Sequence, residues 1–146
     1  MFNRNDPLAS YNFKVELNGI TRAGFKECAG LESTVNAGTY REGTDATLAL
    51  RSIPGLQTFT TIVLKRGITN DRALWDWHKL ALDGRADRQN ISIILLDDTG
   101  KNKIWWNIKC AWPTKWSGPS MDATGDNIAI ETLELAHEGI SVQTWE

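Results

Sequence analysis

The stretch TFTTIVLKRGITNDRALWDWHKLALDG, residues 58–84, decides the fold. Its first part, Thr58 to Leu64, is β-branched and aromatic, with no strong helix former before Leu64, and reads as a strand. Lys65, Arg66 and Gly67 break it. A helix over 71–83 follows, opened by Thr69, Asn70 or Asp71, each able to accept a bond from a free N–H of the first turn. Leu74, Trp77 and Ala81 fall on one stripe, with Ala73 and Leu80 beside them. Gly84 stands where a left-handed C′ residue ends a helix. One striped helix has to cover something, and the flanking sequence supplies a β-sheet.

On the C-terminal side, Arg85 to Asn90 reads as a connecting loop and Ile91 to Leu96 as a buried strand, by its near-continuous apolar run. Asp97 to Lys101 is turn chemistry. The returning strand places Ile104, Trp106, Ile108, Cys110 and Trp112 on one face and Trp105, Asn107, Lys109 and Ala111 on the other, and Pro113 ends it. Trp116 to Asn127 is a loop. Ile128 to His137 is ambiguous: Ile128 and Ile130 share one strand parity, Leu133 and Leu135 the other. Either a bulge sits near Thr132, or the segment is a short helix, which local propensity favours.

On the N-terminal side, residues up to Ser10 form a polar arm. Phe13, Val15 and Leu17 alternate with Lys14, Glu16 and Asn18, so this strand has one dry and one wet face. Asn18 and Gly19 signal a hairpin, with a returning strand in Ile20 to Val35 bent at Gly24 and Gly30. Residues 33–52 then change character to Thr, Gly and Ala around Tyr40, Arg41, Glu42, Gly43, Thr44 and Asp45. About twenty residues of loop is long for a compact domain. It is either a disordered surface loop or an arm that orders against another subunit. Ile53 to Leu56 closes it with a turn.

The 146 residues form one domain, 1–146, large enough for a sizeable core. Charged residues at 23% and hydrophobic ones at 41% fit a folded chain, and a net charge of −2 argues against a basic nucleic-acid binder. No apolar run approaches the roughly 20 residues of a membrane span, and no signal-peptide core opens the chain, so cytoplasmic folding is expected. Cys28 and Cys110 are expected reduced and buried. The seven tryptophans need burial or a partner surface.

Catalysis fails on inventory. His78 and His137 sit in no motif, and Cys28 with a histidine is an unsupported nucleophile pair. Asp97 and Asp98 belong to the turn. No zinc spacing, phosphate loop or nucleophile elbow occurs, so no catalytic residue, cofactor or metal is assigned. Lys103, Trp105, Trp106, Lys109, Trp112, Lys115 and Trp116 interleave basic and aromatic residues. That leaves an alternative: a small OB-like barrel binding single-stranded nucleic acid or a glycan.

Several stretches together resemble the inner tube protein of contractile phage tails and of extracellular contractile injection systems. They are YNFKVE (11–16), AGLE (29–32), YREG (40–43), PGL (54–56), LKRG (64–67) with LWDW (74–77), ILLD (94–97), AWP (111–113) and ETLELAHEG (131–139). Their number and order, spread over nearly the whole chain, carry the likeness.

The resemblance implies a mainly β fold: a β-sandwich or half-barrel with one flanking α-helix and a long extended loop, 33–52, between subunits. It implies assembly into a hexameric ring whose strands form a continuous β-barrel, rings stacking head-to-tail into a hollow tube. It makes the last segment a strand, with a bulge near Thr132. Lys14, Glu16 and Asn18 become candidates for the lumen. Tyr40, Arg41, Glu42, Asp45 and Arg51 become candidates for contacts between subunits or rings. The implied partners are copies of itself, a sheath protein, a baseplate or spike hub, a tube terminator or cap, and a lumenal cargo of protein effector or DNA. The implied place is assembly in the bacterial cytoplasm, as part of a phage virion tail or a contractile injection particle.

Overall fold

The computed structural model describes residues 7–17, 20–22 (backbone), 25–44 and 46–145. In chain order these form β1 (Phe13–Leu17), β2 (Ile20–Arg22), β3 (Phe25–Ala29), β4 (Ser33–Tyr40) and β5 (Arg51–Phe59). They continue with β6 (Ile62–Gly67), α1 (Ala73–Leu82), β7 (Gln89–Leu96), β8 (Asn102–Ser117), β9 (Ile130–Ala136) and β10 (Gly139–Trp145). The main sheet runs β2-β1-β7-β8-β9-β6-β3, all neighbours antiparallel, and β10 also pairs with β8.

The 16-residue β8 joins two layers. Its first part, to Ala111, lies between β7 and β10, and its last part, from Trp112, pairs with β9. One layer is therefore β2-β1-β7-β8-β10 and the other β8-β9-β6-β3. Val15, Leu17, Ile91, Ile93 and Ile108 of the first meet Ile62, Leu64, Leu133 and Leu135 of the second in one core, joined by Leu74 and Trp77 of α1. Each such side chain, fully buried, contributes about 1.5–3 kcal/mol.

The helix opens at Ala73, two residues beyond the expected start, and its N-cap is Arg72, whose side chain makes no cap bond; the residues before it hold the entry instead. Thr69 Oγ1 accepts from the Asp71 N–H (3.2 Å), and Asp71 Oδ1 accepts from the Ala73 N–H (3.0 Å). It ends in a Schellman motif: Gly84 N–H donates to Ala81 O (3.1 Å), Arg85 N–H to Leu80 O (2.8 Å), and Gly84 has φ +79°. The buried stripe is Leu74, Trp77 and His78, whereas Leu80 is exposed. Trp77 is also fixed by its indole, whose Nε1 donates to Asp87 O at 2.6 Å.

Other expectations change for stated reasons. The strand over 58–64 is two strands, broken at Thr60 and Thr61. There the Thr60 hydroxyl donates to Gly30 O (2.9 Å), and His137 Nε2 lies 2.8 Å from Thr60 O. The single returning strand over 20–35 is β2, β3 and the start of β4, with β2 and β3 on opposite edges of the main sheet. Gly30 bends the chain between β3 and β4, at φ +96°, and a Cβ there would stand 2.0 Å from Thr61 O. The hairpin residues Asn18 and Gly19, and the bend at Gly24, lie outside the described residues.

Pro113 does not end β8, because it stands beside a bulge, where a strand tolerates its missing N–H. The parity of β8 flips before that. Lys109 and Cys110 together face Asn90, Cys110 takes φ +52°, and its N–H donates to Asn90 Oδ1 (3.1 Å). Ala111 and Pro113 therefore turn inward in place of Cys110 and Trp112.

The segment near the C-terminus is a strand, β9, paired with β6 in unbroken register, so no bulge sits at Thr132. Its inward side chains are Glu131, Leu133 and Leu135. The charged member hid the alternation. Arg66 Nε donates to Glu131 Oε1 (2.5 Å), and Trp116 Nε1 donates to Glu131 Oε2 (3.4 Å). Arg66 also reaches the start of α1, at Asp71 Oδ2 (3.1 Å) and Asp71 O (2.8 Å). Trp75 of α1 packs edge-on against Trp116, with ring centroids 5.0 Å apart.

Candidate assembly surfaces

The stretch expected as an extended loop is largely strand. Among the described residues β4 and β5 pair only with each other, as a two-stranded ribbon separate from the main sheet. Eight residues of β4 give it about 27 Å of reach at ~3.4 Å per residue. Thr and Gly suit such a ribbon because neither face meets a core within the chain. Ile53 to Leu56 is not a turn. It lies within β5, where the register slips opposite Asn36, and a Cβ at Gly55 would stand 2.8 Å from Asn36 O. Every β4 residue is exposed, and so is every β5 residue except Phe59. Leu48 is 87% exposed, Leu50 61% and Leu56 79%.

The residues expected to make contacts gather at the far end of this ribbon. Tyr40 stands opposite Arg51, its hydroxyl donates to Glu42 Oε1 (3.5 Å), and Arg41 Nε donates to Thr47 O (3.1 Å). Asp45 lies outside the described residues.

Lys14 and Glu16 project from β1 opposite the buried Val15 and Leu17, and Asn18 lies outside the described residues. Their cross-strand partners on β7 are Ile94 and Ser92. The same face of that layer carries a hydrogen-bonded ladder that the sequence reading missed. Asn107 Oδ1 accepts from Ser92 Oγ (2.9 Å) and from Trp105 Nε1 (3.1 Å), and Asn107 Nδ2 donates to Gln143 Oε1 (3.0 Å). Asn107 appears in the sequence as one polar position among alternating apolar ones. Its partners come from β7 and β10, so only the sheet order reveals them.

The two layers part on the side where β1 faces β3, leaving a cleft of about 600 Å³. Phe13, Phe25, Leu31, Ile93, Leu95 and Trp106 line it, with Lys26 and Glu27 at its edge. Phe13, Phe25 and Trp106 also border the main core, so the cleft is the open end of that core.

Among the described residues these surfaces bring together no catalytic set. Burial, and then the neighbouring charge of Glu27, push the Cys28 thiol up to about 12, so it carries negligible thiolate at neutral pH. A hydrogen bond to Glu138, with burial next, raises Cys110. Among the described residues no cluster of His, Cys, Asp and Glu could hold a metal ion. The basic–aromatic run does not form a platform. Lys103 is 3.9 Å from Asp97, the Trp105 indole is tied to Asn107, and Trp106 packs against the core.

The solved structures similar to this chain point the same way. A chain in the sheath-tube complex of an extracellular contractile injection system, PVC, in its extended state is 27% identical, with a TM-score of 0.84 over 94% of this chain and 92% of that one. A chain in the tube-terminating cap of the anti-feeding prophage, AFP, is 26% identical, with a TM-score of 0.87 over 99% and 95%. Hcp1 from Flavobacterium johnsoniae, at 14% identity and a TM-score of 0.56 over 91% and 95%, shares the fold. No curated protein matches in sequence. The family model of the T4-like virus tail tube protein gp19 matches residues 9–141. The chain belongs to that tail tube family, as a structural tube subunit and not an enzyme.

Proposed function

We propose that this tube subunit closes into hexameric rings that stack head-to-tail into a hollow tube, and that a contracting sheath drives the tube through a target envelope with cargo inside. The observation that carries this reading is the ribbon β4–β5. It spends strand pairing and several large apolar side chains on a projection that touches no core of its own. Monomers rarely expose apolar surface of this kind without a partner for it. Among the described residues β2, β3 and β10 each have an unpaired edge, which fits the same reading, because unpaired strand edges are a hazard in a monomer and are removed by pairing around a ring.

The partners that follow are further copies of the chain, a sheath, a baseplate or spike hub, and a terminator or cap. The PVC sheath-tube complex and the AFP cap contain similar chains and support that set. The cargo is a protein effector or DNA. Assembly takes place in the bacterial cytoplasm, and the tube becomes part of a phage virion tail or a contractile injection particle. Tyr40, Arg41, Glu42, Asp45 and Arg51 make contacts between subunits, and Lys14, Glu16 and Asn18 face the lumen.

Negative-stain electron microscopy of the purified chain, with light scattering, tests this directly. Rings or stacked hollow tubes are expected. Removing residues 37–50 should leave the thermal unfolding of the domain in place and abolish tubes. A chain that stays monomeric on concentration counts against the assembly, and tubes of normal length from the deletion variant count against the ribbon's part in it.

A further inference from the structure

We propose that His137 is a latch at the root of the ribbon β4–β5: the bond from its Nε2–H to Thr60 O, with the Phe59 ring against its own, sets the angle at which the ribbon leaves the body of the chain. The latch works within one copy, whatever assembly that copy joins.

Backbone pairing does not hold that angle. Among the described residues no strand pairing joins the ribbon to the main sheet. The chain crosses between the two at residues 30–32 and 60–61. These crossings lie directly against each other: a Cβ at Gly30 would stand 2.0 Å from Thr61 O, and the Thr60 hydroxyl donates to Gly30 O at 2.9 Å. Such contacts bind one crossing to the other and leave the pair able to pivot together on the body. A pivot of about 10° at the root carries the tip of a ribbon about 27 Å long through roughly 5 Å.

His137 is placed to stop that pivot. The β6–β9 ladder ends with Ile62 opposite Leu135, so two positions on Thr60 stands opposite His137. There the imidazole takes over from backbone pairing. Thr60 O can only accept, so at 2.8 Å the His137 Nε2 carries the proton and donates. Nδ1 is then a bare acceptor, and it is buried with no hydrogen-bond partner. Buried polar atoms are nearly always bonded, so a bare one is a cost that a phenylalanine would not carry at this position. The ring serves Thr60.

The latch also has a firm footing. His137 sits in the link between β9 and β10, and the next N–H, of Glu138, donates to Lys109 O at 2.9 Å, which fastens the link to β8. Phe59, the one β5 residue that is not exposed, packs on the His137 ring with centroids 5.5 Å apart. Bond and ring contact grip successive residues of the root. One contact alone would act as a swivel.

Spin labels read the angle. In a chain carrying Cys28→Ala and Cys110→Ser, the substitutions Leu48→Cys near the ribbon tip and Lys79→Cys on α1 each take a label at an exposed position. Dilution into an excess of unlabelled chain leaves only distances within one copy. A single narrow distance distribution is expected. His137→Phe keeps a ring on Phe59 and removes the donor, and should broaden or shift the distribution by about 5 Å. His137→Gln brings an amide N–H to the same reach and should restore the narrow distribution. Thr60 is exposed, so both variants should melt near the parent's temperature, which separates a change of angle from a loss of fold. A broad distribution in the parent, an unchanged one in His137→Phe, or a His137→Gln as broad as His137→Phe overturns the latch.

Should the labelled chains not fold, the unaltered chain decides through the NMR shifts of its ring nitrogens. A protonated Nε2 and a bare Nδ1 are expected at His137, and a neutral ring with its proton on Nδ1 overturns the latch.

Discussion

Arg66 and Glu131 are 5% and 6% exposed, and they face each other from β6 and β9. Both charges are out of water, and each is satisfied by the other together with Asp71 and the Trp116 indole. Removing Glu131 leaves the buried Arg66 guanidinium held by Asp71 alone, which costs up to about 3–5 kcal/mol, whereas replacing both by apolar residues of similar volume costs little. Glu131→Ala should therefore lower the urea midpoint sharply, and the pair Arg66→Met with Glu131→Leu should recover most of it. A single substitution costing under about 1 kcal/mol would show that Arg66 finds water once Glu131 is gone. The pair is also why β9 was hard to read. Sixty-five residues separate the two side chains, and a glutamate at an inward position makes Glu131, Leu133 and Leu135 look like a parity error.

At the scale of elements, the hairpin β7–β8 turns on Asp97. Its Oδ1 accepts from the Thr99 N–H (2.9 Å), the Thr99 hydroxyl (2.7 Å) and the Lys101 N–H (2.9 Å). These bonds, the Thr99 hydroxyl first, hold the Asp97 carboxyl below its usual value near 3.8. A carboxyl depressed in the folded state stabilises it above the unfolded pKa, and that stability is lost as pH falls through the folded value. Asp97→Asn should therefore flatten the fall in stability below about pH 4, read as unfolding midpoints across an acid series. An unchanged acid profile would mean that the turn holds its shape without the charge.

The elements that sequence disclosed best have a single dry face and local signals: β1 by alternation, α1 by its stripe and Gly84, and β7 by its apolar run. The ribbon was missed as strand because neither of its faces is dry within one chain. The flip at Cys110 was missed because a bulge with a non-glycine residue at φ +52° leaves no mark in the residue pattern.

For the whole molecule, the face bearing Lys14 and Glu16 is rigid and wet at once. Ile94, opposite Lys14 on β7, is fully buried, so the surface charges lie over packed apolar atoms. Half-buried charges of both signs present no single-signed patch to hold a partner, which fits the proposed lumen wall. Lys14→Ala and Glu16→Ala should leave rings and tubes intact in micrographs while changing cargo passage in a delivery assay. Loss of rings in either variant would count against the proposed lumen placement and for a subunit contact. The sequence yielded the wet face of β1 readily. It could not yield the Ser92, Asn107 and Gln143 ladder beside it, because Gln143 reaches Asn107 from β10, 36 residues on in the chain.

β8 has a mechanical consequence. At about 3.3 Å per residue it is roughly 50 Å long, and both layers are sewn to this one backbone. Layers held only by side-chain contacts can slide over one another under shear, one row of knobs past the next. Here a sliding force has to stretch covalent bonds or strip several hydrogen-bonded rungs together. A piston made of such parts would transmit a push without yielding inside its subunits, and under overload it would fail first at the seams between them.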